Sequence, residues 1–271
     1  MSAGRWDQRI ARAQKLSASH TFAAELLRFY ERVAGAQKQV YTRVLAATGR
    51  ERLQLSAGNL RRELDLTLLL PEMRGFLGVV ERAAPAPLAA AARKLSERGT
   101  PGWVELLSSW WAQPSPPGPA RTPEEEFCAR AFLQPYAEFL AEHTDLPVFE
   151  KTPDVCPLCG SKPQLGVLRP EGDGASRSLV CSLCATEWRY ERIHCPACGE
   201  SSELNLAVYL TQELPQVRVE GCEKCRSYIK TVDLTKDGHA VPLVDEIAAI
   251  PLDLWGREHN YTKLCPNLLG M

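Results

Sequence analysis

The chain has 271 residues, 45% of them hydrophobic, and its 32 Lys or Arg nearly balance its 33 Asp or Glu to leave a formal charge of −1. That is enough apolar material for one large domain or two ordinary ones, and too little net charge to gather nucleic acid or anionic lipid by a long-range field. The opening MSAGRWDQRIARAQK contains no apolar signal segment and no stretch is apolar for long enough to span a bilayer, so a cytoplasmic protein without membrane insertion is expected.

The first part, residues 1–146, reads as helices. Ile10 and Leu16 suggest a short helix. Phe22, Leu26, Phe29, Val33, Val40 and Val44 then keep helical spacing, which predicts one long amphipathic helix over residues 20–47. Pro71 is read as the start of a helix through Phe76, Leu77 and Val80 that ends near Pro85. The alanine-rich run from Pro87 to Arg98 is a strong helix former that stops at Gly99, and residues 103–111 form another short apolar segment. Gln113 to Pro119 is too rich in proline to continue a helix and reads as an extended loop. Thr122, Pro123 and Glu125 make a capping box with proline in the first turn, starting a helix to about His143 in which Pro135 predicts a kink. Trp110, Trp111 and Phe22 are read as core, and Cys128 as a small buried hydrophobe.

The character changes at residues 147–152, where strands and cysteine pairs take over. Eight of the ten cysteines form four CxxC pairs: Cys156 with Cys159, Cys181 with Cys184, Cys195 with Cys198 and Cys222 with Cys225. A CxxC loop aims two thiolates at one point, so two pairs complete a tetrahedral site. The knuckles CPLCG and CPACG are each followed by a plainer CxxC, after 21 and 23 intervening residues, which reads as a tandem duplication. The repeat therefore groups Cys156, Cys159, Cys181 and Cys184 on one ion and Cys195, Cys198, Cys222 and Cys225 on a second. An interleaved pairing is the rival. A disulfide framework does not suit a cytosolic chain, and a thioredoxin-like pair would leave three pairs unexplained. Glycine after the second cysteine of each CPxCG suits a chain that must reach positive φ.

Between the cysteines, Leu165–Leu168, the turn around Gly172 and Leu179–Val180 signal a hairpin, with Trp188 and Tyr190 on a third strand. Residues 206–210, 217–219 and 228–234 repeat the scheme. The expected fold is thus α+β: a helical N-terminal domain, then two tandem three-stranded zinc-ribbon units, each with a metal at one end, at 147–193 and 194–271, the second carrying a C-terminal tail of mixed helix and proline signals. Each ribbon is too small to bury a core of its own, so metal is expected to supply much of its folding free energy; losing Cys159 is expected to unfold the first ribbon and spare the helices.

Four protein ligands leave no open coordination position, which suits a structural or electron-transferring site and not a hydrolytic one. Tetrathiolate sites take zinc and iron about equally. His194 adjoins Cys195 but is read as facing away from the sulfurs. No phosphate loop and no nucleophile–base set stands out, so no enzyme activity is expected. Residues 151–230 hold ten Lys or Arg and ten Asp or Glu. The interrupted cluster Arg189, Arg192, Lys224, Arg226 and Lys230 therefore argues weakly for the alternative of a nucleic-acid-binding or transcription-associated zinc ribbon.

The ordered strings CPLCGSKP, LVCSLCATEW, HCPACGE and GCEKCRSYIKTVDL, with the helical opening RAQKLSASHTFAAELLRFYERVAGAQKQV, resemble the FdhE family of formate dehydrogenase accessory proteins over nearly the whole length. The resemblance implies a rubredoxin-like, iron-binding maturation factor of the cytoplasm, required for active formate dehydrogenase and binding that enzyme's catalytic subunit before export. It carries the ligand role to all eight paired cysteines and favours iron, with zinc as the alternative. Cys265 is not a ligand in that pattern, and the ending Leu268-Leu269-Gly270-Met271 is less aromatic than the family's. The client is expected to meet the ribbons, or the groove where they join the helices, with Glu187, Arg189, Arg226 and Lys230 as candidate contact residues.

Overall fold

The computed structural model describes residues 3–49, 60–112 and 121–271; the proline-rich segment 113–119 lies outside them. The helical signals resolve into α1 (Ala3–Ser19), α2 (Ala24–Thr48), α3 (Leu66–Ala83), α4 (Ala86–Ala112) and α5 (Pro123–Glu142). The Thr122 capping box is formed in full. The alanine-rich helix breaks at Gly99, where φ is 63°, a conformation open to glycine at little cost, and Trp103 spans the break by donating to the Leu95 carbonyl at 2.7 Å.

Two expectations are corrected here. Pro71 lies inside α3: Asp65 caps the helix, accepting from Thr67 N at 2.9 Å, so the proline forfeits one early hydrogen bond. Phe22 is half-exposed against His20, whereas Trp110 and Trp111 are buried as expected. Helix α5 is the axis of the helical half, with its run from Leu133 to Leu140 buried on every face. Its acidic residue Glu138 is 1% exposed and is neutralised by a two-pronged contact from Arg9, both bonds 2.9 Å.

The second half forms β1 (Pro163–Glu171), β2 (Gly174–Cys181), β3 (Glu187–Arg189), β4 (Leu206–Leu210), β5 (Val217–Cys222) and β6 (Ser227–Asp233), then α6 (Pro242–Ala248), α7 (Ile250–Glu258) and the short β7 (Thr262–Lys263). The tail that carried mixed signals thus becomes two short helices, each with proline in its first turn. The two three-stranded units meet edge to edge. Strands β1 and β6 pair in parallel, Leu165 with Lys230 through Leu168 with Asp233, giving one seven-stranded sheet in the order β3-β2-β1-β6-β5-β4 with β7 beside β6.

Lys230, expected on the surface, is fully buried. Its ammonium contacts Asp253 Oδ2 at 2.6 Å and Glu246 Oε1 at 2.9 Å, so β6 is tied to α6 and α7 by charge in the interior. A lysine on a central strand can sit there only because two carboxylates from the tail meet it.

Candidate metal centres

Each CxxC begins or ends on a turn that sequence chemistry explains. Cys156 N donates to Ser161 O at 2.8 Å and Gly160 N to Cys156 O at 2.9 Å; Cys195 N to Glu200 O and Gly199 N to Cys195 O repeat the pattern at 2.8 and 2.9 Å. Gly160 and Gly199 have φ of 73° and 74°, as the CPxCG motif predicts. The plainer knuckles need the same left-handed step without glycine: Ala185 and Arg226, each next after its second cysteine, have φ of 51° and 55°. All four knuckles therefore share one backbone device.

The turns bring together the two groups that the repeat predicts: Cys156, Cys159, Cys181 and Cys184, and Cys195, Cys198, Cys222 and Cys225, with all sulfurs of a group within 4.8 Å of one another. Interleaved pairing does not occur. In the first group Cys159 to Cys181 is 3.3 Å and Cys156 to Cys184 is 3.5 Å; in the second, Cys195 to Cys225 and Cys198 to Cys222 are both 3.8 Å. A tetrahedron with metal–sulfur bonds of about 2.3 Å has edges of about 3.8 Å, whereas a disulfide needs about 2.05 Å. The donor set and its spacing fit a tetrathiolate ion. Burial pushes the Cys181 and Cys184 thiols well above the usual range, so a cation is needed before four sulfurs so close can ionise together. His194 stands outside the second group, its ring against Tyr190.

The two centres are not alike. All four sulfurs of the first are buried, within the same apolar core as the helical half. Leu60 N donates to Leu158 O at 3.1 Å across that junction. Arg61, from the helical half, donates to Trp111 O at 2.8 Å and Ser161 Oγ at 3.1 Å; burial pulls its guanidinium down, and the sulfurs of Cys159, Cys181 and Cys184 offset that only in part. Arg130 of α5 reaches the carbonyls of Ser182 at 3.1 Å and Asn267 at 3.0 Å, joining helix, knuckle and tail. Neither arginine is visible as a site residue in the sequence, because each acts on a segment far along the chain. The second centre faces outward: Cys198 is exposed and Cys225 half-buried, with Lys224 nearby on Glu200 at 3.1 Å.

The charged residues expected at a client surface are mostly engaged. Glu187 pairs with Arg169, Arg189 with Glu171 and Arg226 with Glu223, while Lys230 is interior. Cys128 is buried, its thiol pushed up to about 12 by burial, and Cys265 is partly exposed beside a groove of about 550 Å³ between α5, the Ser182 turn and the tail. No helix among the described residues is long and apolar enough to cross a membrane.

Comparison with known proteins gives a consistent family. Residues 155–192 match the model of the FdhE central domain and residues 193–269 that of the FdhE C-terminal domain. An FdhE homolog of Aquifex aeolicus is 37% identical over 52% of this chain and 50% of its own length, so that match spans only about half of the relative. One from Stutzerimonas stutzeri is 31% identical over 96% of this chain and 88% of its own. The crystal structure of the FdhE protein from Pseudomonas aeruginosa superposes with a TM-score of 0.72 at 27% identity, covering 99% of this chain and 96% of that one.

Proposed function

The chain belongs to the FdhE family, and from that premise we propose that it is a non-catalytic maturation factor that binds the catalytic subunit of a formate dehydrogenase in the cytoplasm, before that subunit is exported. The observation that carries this reading is the closure of both centres. Each gathers four sulfurs and no further ligand among the described residues, so each offers shape and at most an electron, with no open position for a substrate. On this reading Cys156, Cys159, Cys181 and Cys184 hold one ion and Cys195, Cys198, Cys222 and Cys225 the other, iron in preference to zinc. When bound, each ion cross-links two knuckles. The chain's own residues then fix how the knuckles are presented: the four left-handed turns, the Arg61 and Arg130 bridges, and the shared sheet.

The nucleic-acid alternative loses support. Of the basic cluster that favoured it, Lys230 is buried and Arg189, Lys224 and Arg226 each sit on a carboxylate. The test is capture from a host grown on formate, with the full chain as bait. Co-purification of the formate dehydrogenase catalytic subunit is expected; its absence, with the bait folded and metal-loaded, overturns the reading. Visible absorption of the bait distinguishes an iron tetrathiolate from colourless zinc.

A further inference from the structure

The seven-stranded sheet has two outer edges, and they are built differently. At one end β3 is only three residues long, and its Glu187 and Arg189 are locked into ion pairs with Arg169 and Glu171. Short, charged edges of this kind resist the pairing of a further strand. At the other end β4 is Leu-Ala-Val-Tyr-Leu, with no charge, no proline and no glycine, and it pairs with β5 on one side only. Its outer edge carries no strand among the described residues.

The side chains on that edge are exposed and apolar. Val208 is 52% and Leu210 59% exposed, and Leu204 just before the strand is 93% exposed. Leu206, Val208 and Leu210 share one face, as alternation requires. On that face a cavity of about 440 Å³ opens over β5 and β6, bordered by Val208, Ile193, Arg218 and Ile229 and reaching Cys195 and Cys222 of the exposed metal centre. Tyr209, on the opposite face, is committed to Trp255 and Tyr261.

We propose that the open edge of β4 receives an extended segment of a partner polypeptide as an added strand, with apolar side chains at alternate positions entering the cavity and basic residues at both ends. An added backbone matches the whole row of edge donors and acceptors at once and replaces the water on it, which favours a strand as the occupant. Charge selects among strands. Glu203 before β4 and Glu213 after it are both exposed, so the edge is bracketed by acids. Antiparallel pairing of two copies about Val208 would bring Glu203 of one towards Glu213 of the other at both ends, a like-charge arrangement that disfavours a second copy. A partner with lysine or arginine at those places replaces repulsion with attraction. The proposal rests on the maturation-factor reading only for the identity of the partner, its client.

The probe is a short synthetic peptide with valines at alternate positions, threonines between them and a lysine at each end, capped at both termini. The control carries glutamates in place of the lysines. Binding to the full metal-loaded chain is measured by fluorescence anisotropy, and the protected amides by hydrogen exchange. The lysine-ended peptide is expected to bind and to slow exchange in β4, with the glutamate-ended one weaker by about tenfold. Val208→Lys and Leu210→Lys, both on exposed positions, are each expected to weaken binding by a similar factor with metal content unchanged. Glu203→Lys is expected to weaken peptide binding and to promote self-association in sedimentation, because it makes the pairing of two copies complementary.

Equal binding by wild type and both lysine variants, or no slowed exchange in β4, overturns the proposal. So does a wild-type dimer that Val208→Lys dissolves, which would make the second copy the occupant. Capture of the formate dehydrogenase subunit by Val208→Lys at wild-type level, while the peptide no longer binds, would refute this surface and leave the maturation reading standing. Peptide binding at β4 without capture of that subunit would do the reverse.

Discussion

Gly166 faces Thr231 where β1 and β6 run in parallel, and the fit is so close that a Cβ on Gly166 would lie 2.4 Å from Thr231 Oγ1 and 3.3 Å from its Cγ2. Thr231 is fully buried, so relieving the contact requires it to leave its packed rotamer or the two strands to part. Gly166→Ala is therefore expected to destabilise the protein by about 2 kcal/mol, and Thr231→Ala in the same chain to recover most of that loss. Urea unfolding of the two single variants and the double variant measures the coupling; additive losses would show that the glycine does not set the strand spacing. At Lys230, the residue before Thr231 on β6, the buried charges give an acid limit. Burial pushes the Glu246 carboxyl up, but the ammonium groups of Lys230 and Lys263 outweigh it and hold the group down at about 2. A carboxyl lowered in the folded state stabilises it at pH above the unfolded value, about 4.3, and that contribution fades as pH falls towards 2. The melting temperature should drop across this window, and the drop should shrink in Glu246→Gln, whose baseline is lower. An equal drop in both proteins would assign the acid sensitivity to other carboxylates.

Elements were legible in the sequence wherever a local signal fixes them. The Thr122 capping box, the break at Gly99, the hairpin around Gly172 and the four CxxC knuckles each depend on residues a few positions apart. The start of α3 was misread because proline is a strong local cue, while the Asp65 cap that overrides it is a weaker one. What the repeat could not reveal is that its two metal centres occupy unequal surroundings, since burial depends on what packs over each knuckle. The first shares a core with the helices, and the second has Cys198 in solvent. Chelator should therefore remove the second ion first, giving two kinetic phases of equal amplitude, and Cys198→Ser should abolish only the fast one. Cys159→Ser should do more than the sequence suggests: with its centre embedded in the common core, its loss should loosen helical amides near Leu60 as well as the first ribbon. Hydrogen exchange on both variants tests the contrast. A single release phase would mean that the two centres are equivalent, and unchanged helical protection in Cys159→Ser would mean that the first centre does not support the helices.

At the scale of the whole molecule the division into a helical half and a cysteine-bearing half was readable, because periodicity and composition both change near residue 147. The joints between the halves were not, because they are made by residues far apart in sequence and unremarkable in context. The most remote is Arg12 of α1, which donates from Nε to Asp245 Oδ2 at 2.9 Å and from a terminal nitrogen to Asp237 Oδ2 at 2.8 Å. Asp245 is wholly buried at the start of α6, where it also accepts from Gln216 Nε2 at 3.0 Å and Val241 N at 2.8 Å. One guanidinium thus ties the first helix to the tail and, through the Asp245–Gln216 bond, to the sheet. Removing it strands a buried carboxylate that two neutral donors cannot compensate, so Arg12→Ala is expected to cost about 3–5 kcal/mol. Asp245→Asn in the same chain removes the stranded charge and should recover part of that cost, whereas a purely steric loss at Arg12 would be untouched by it. If Arg12 couples the halves, the single variant should also unfold in two steps, with the amides of the helices and those of the sheet losing hydrogen-exchange protection at different denaturant concentrations. A single coincident transition at lowered stability would place the coupling in the shared core around the first metal centre instead.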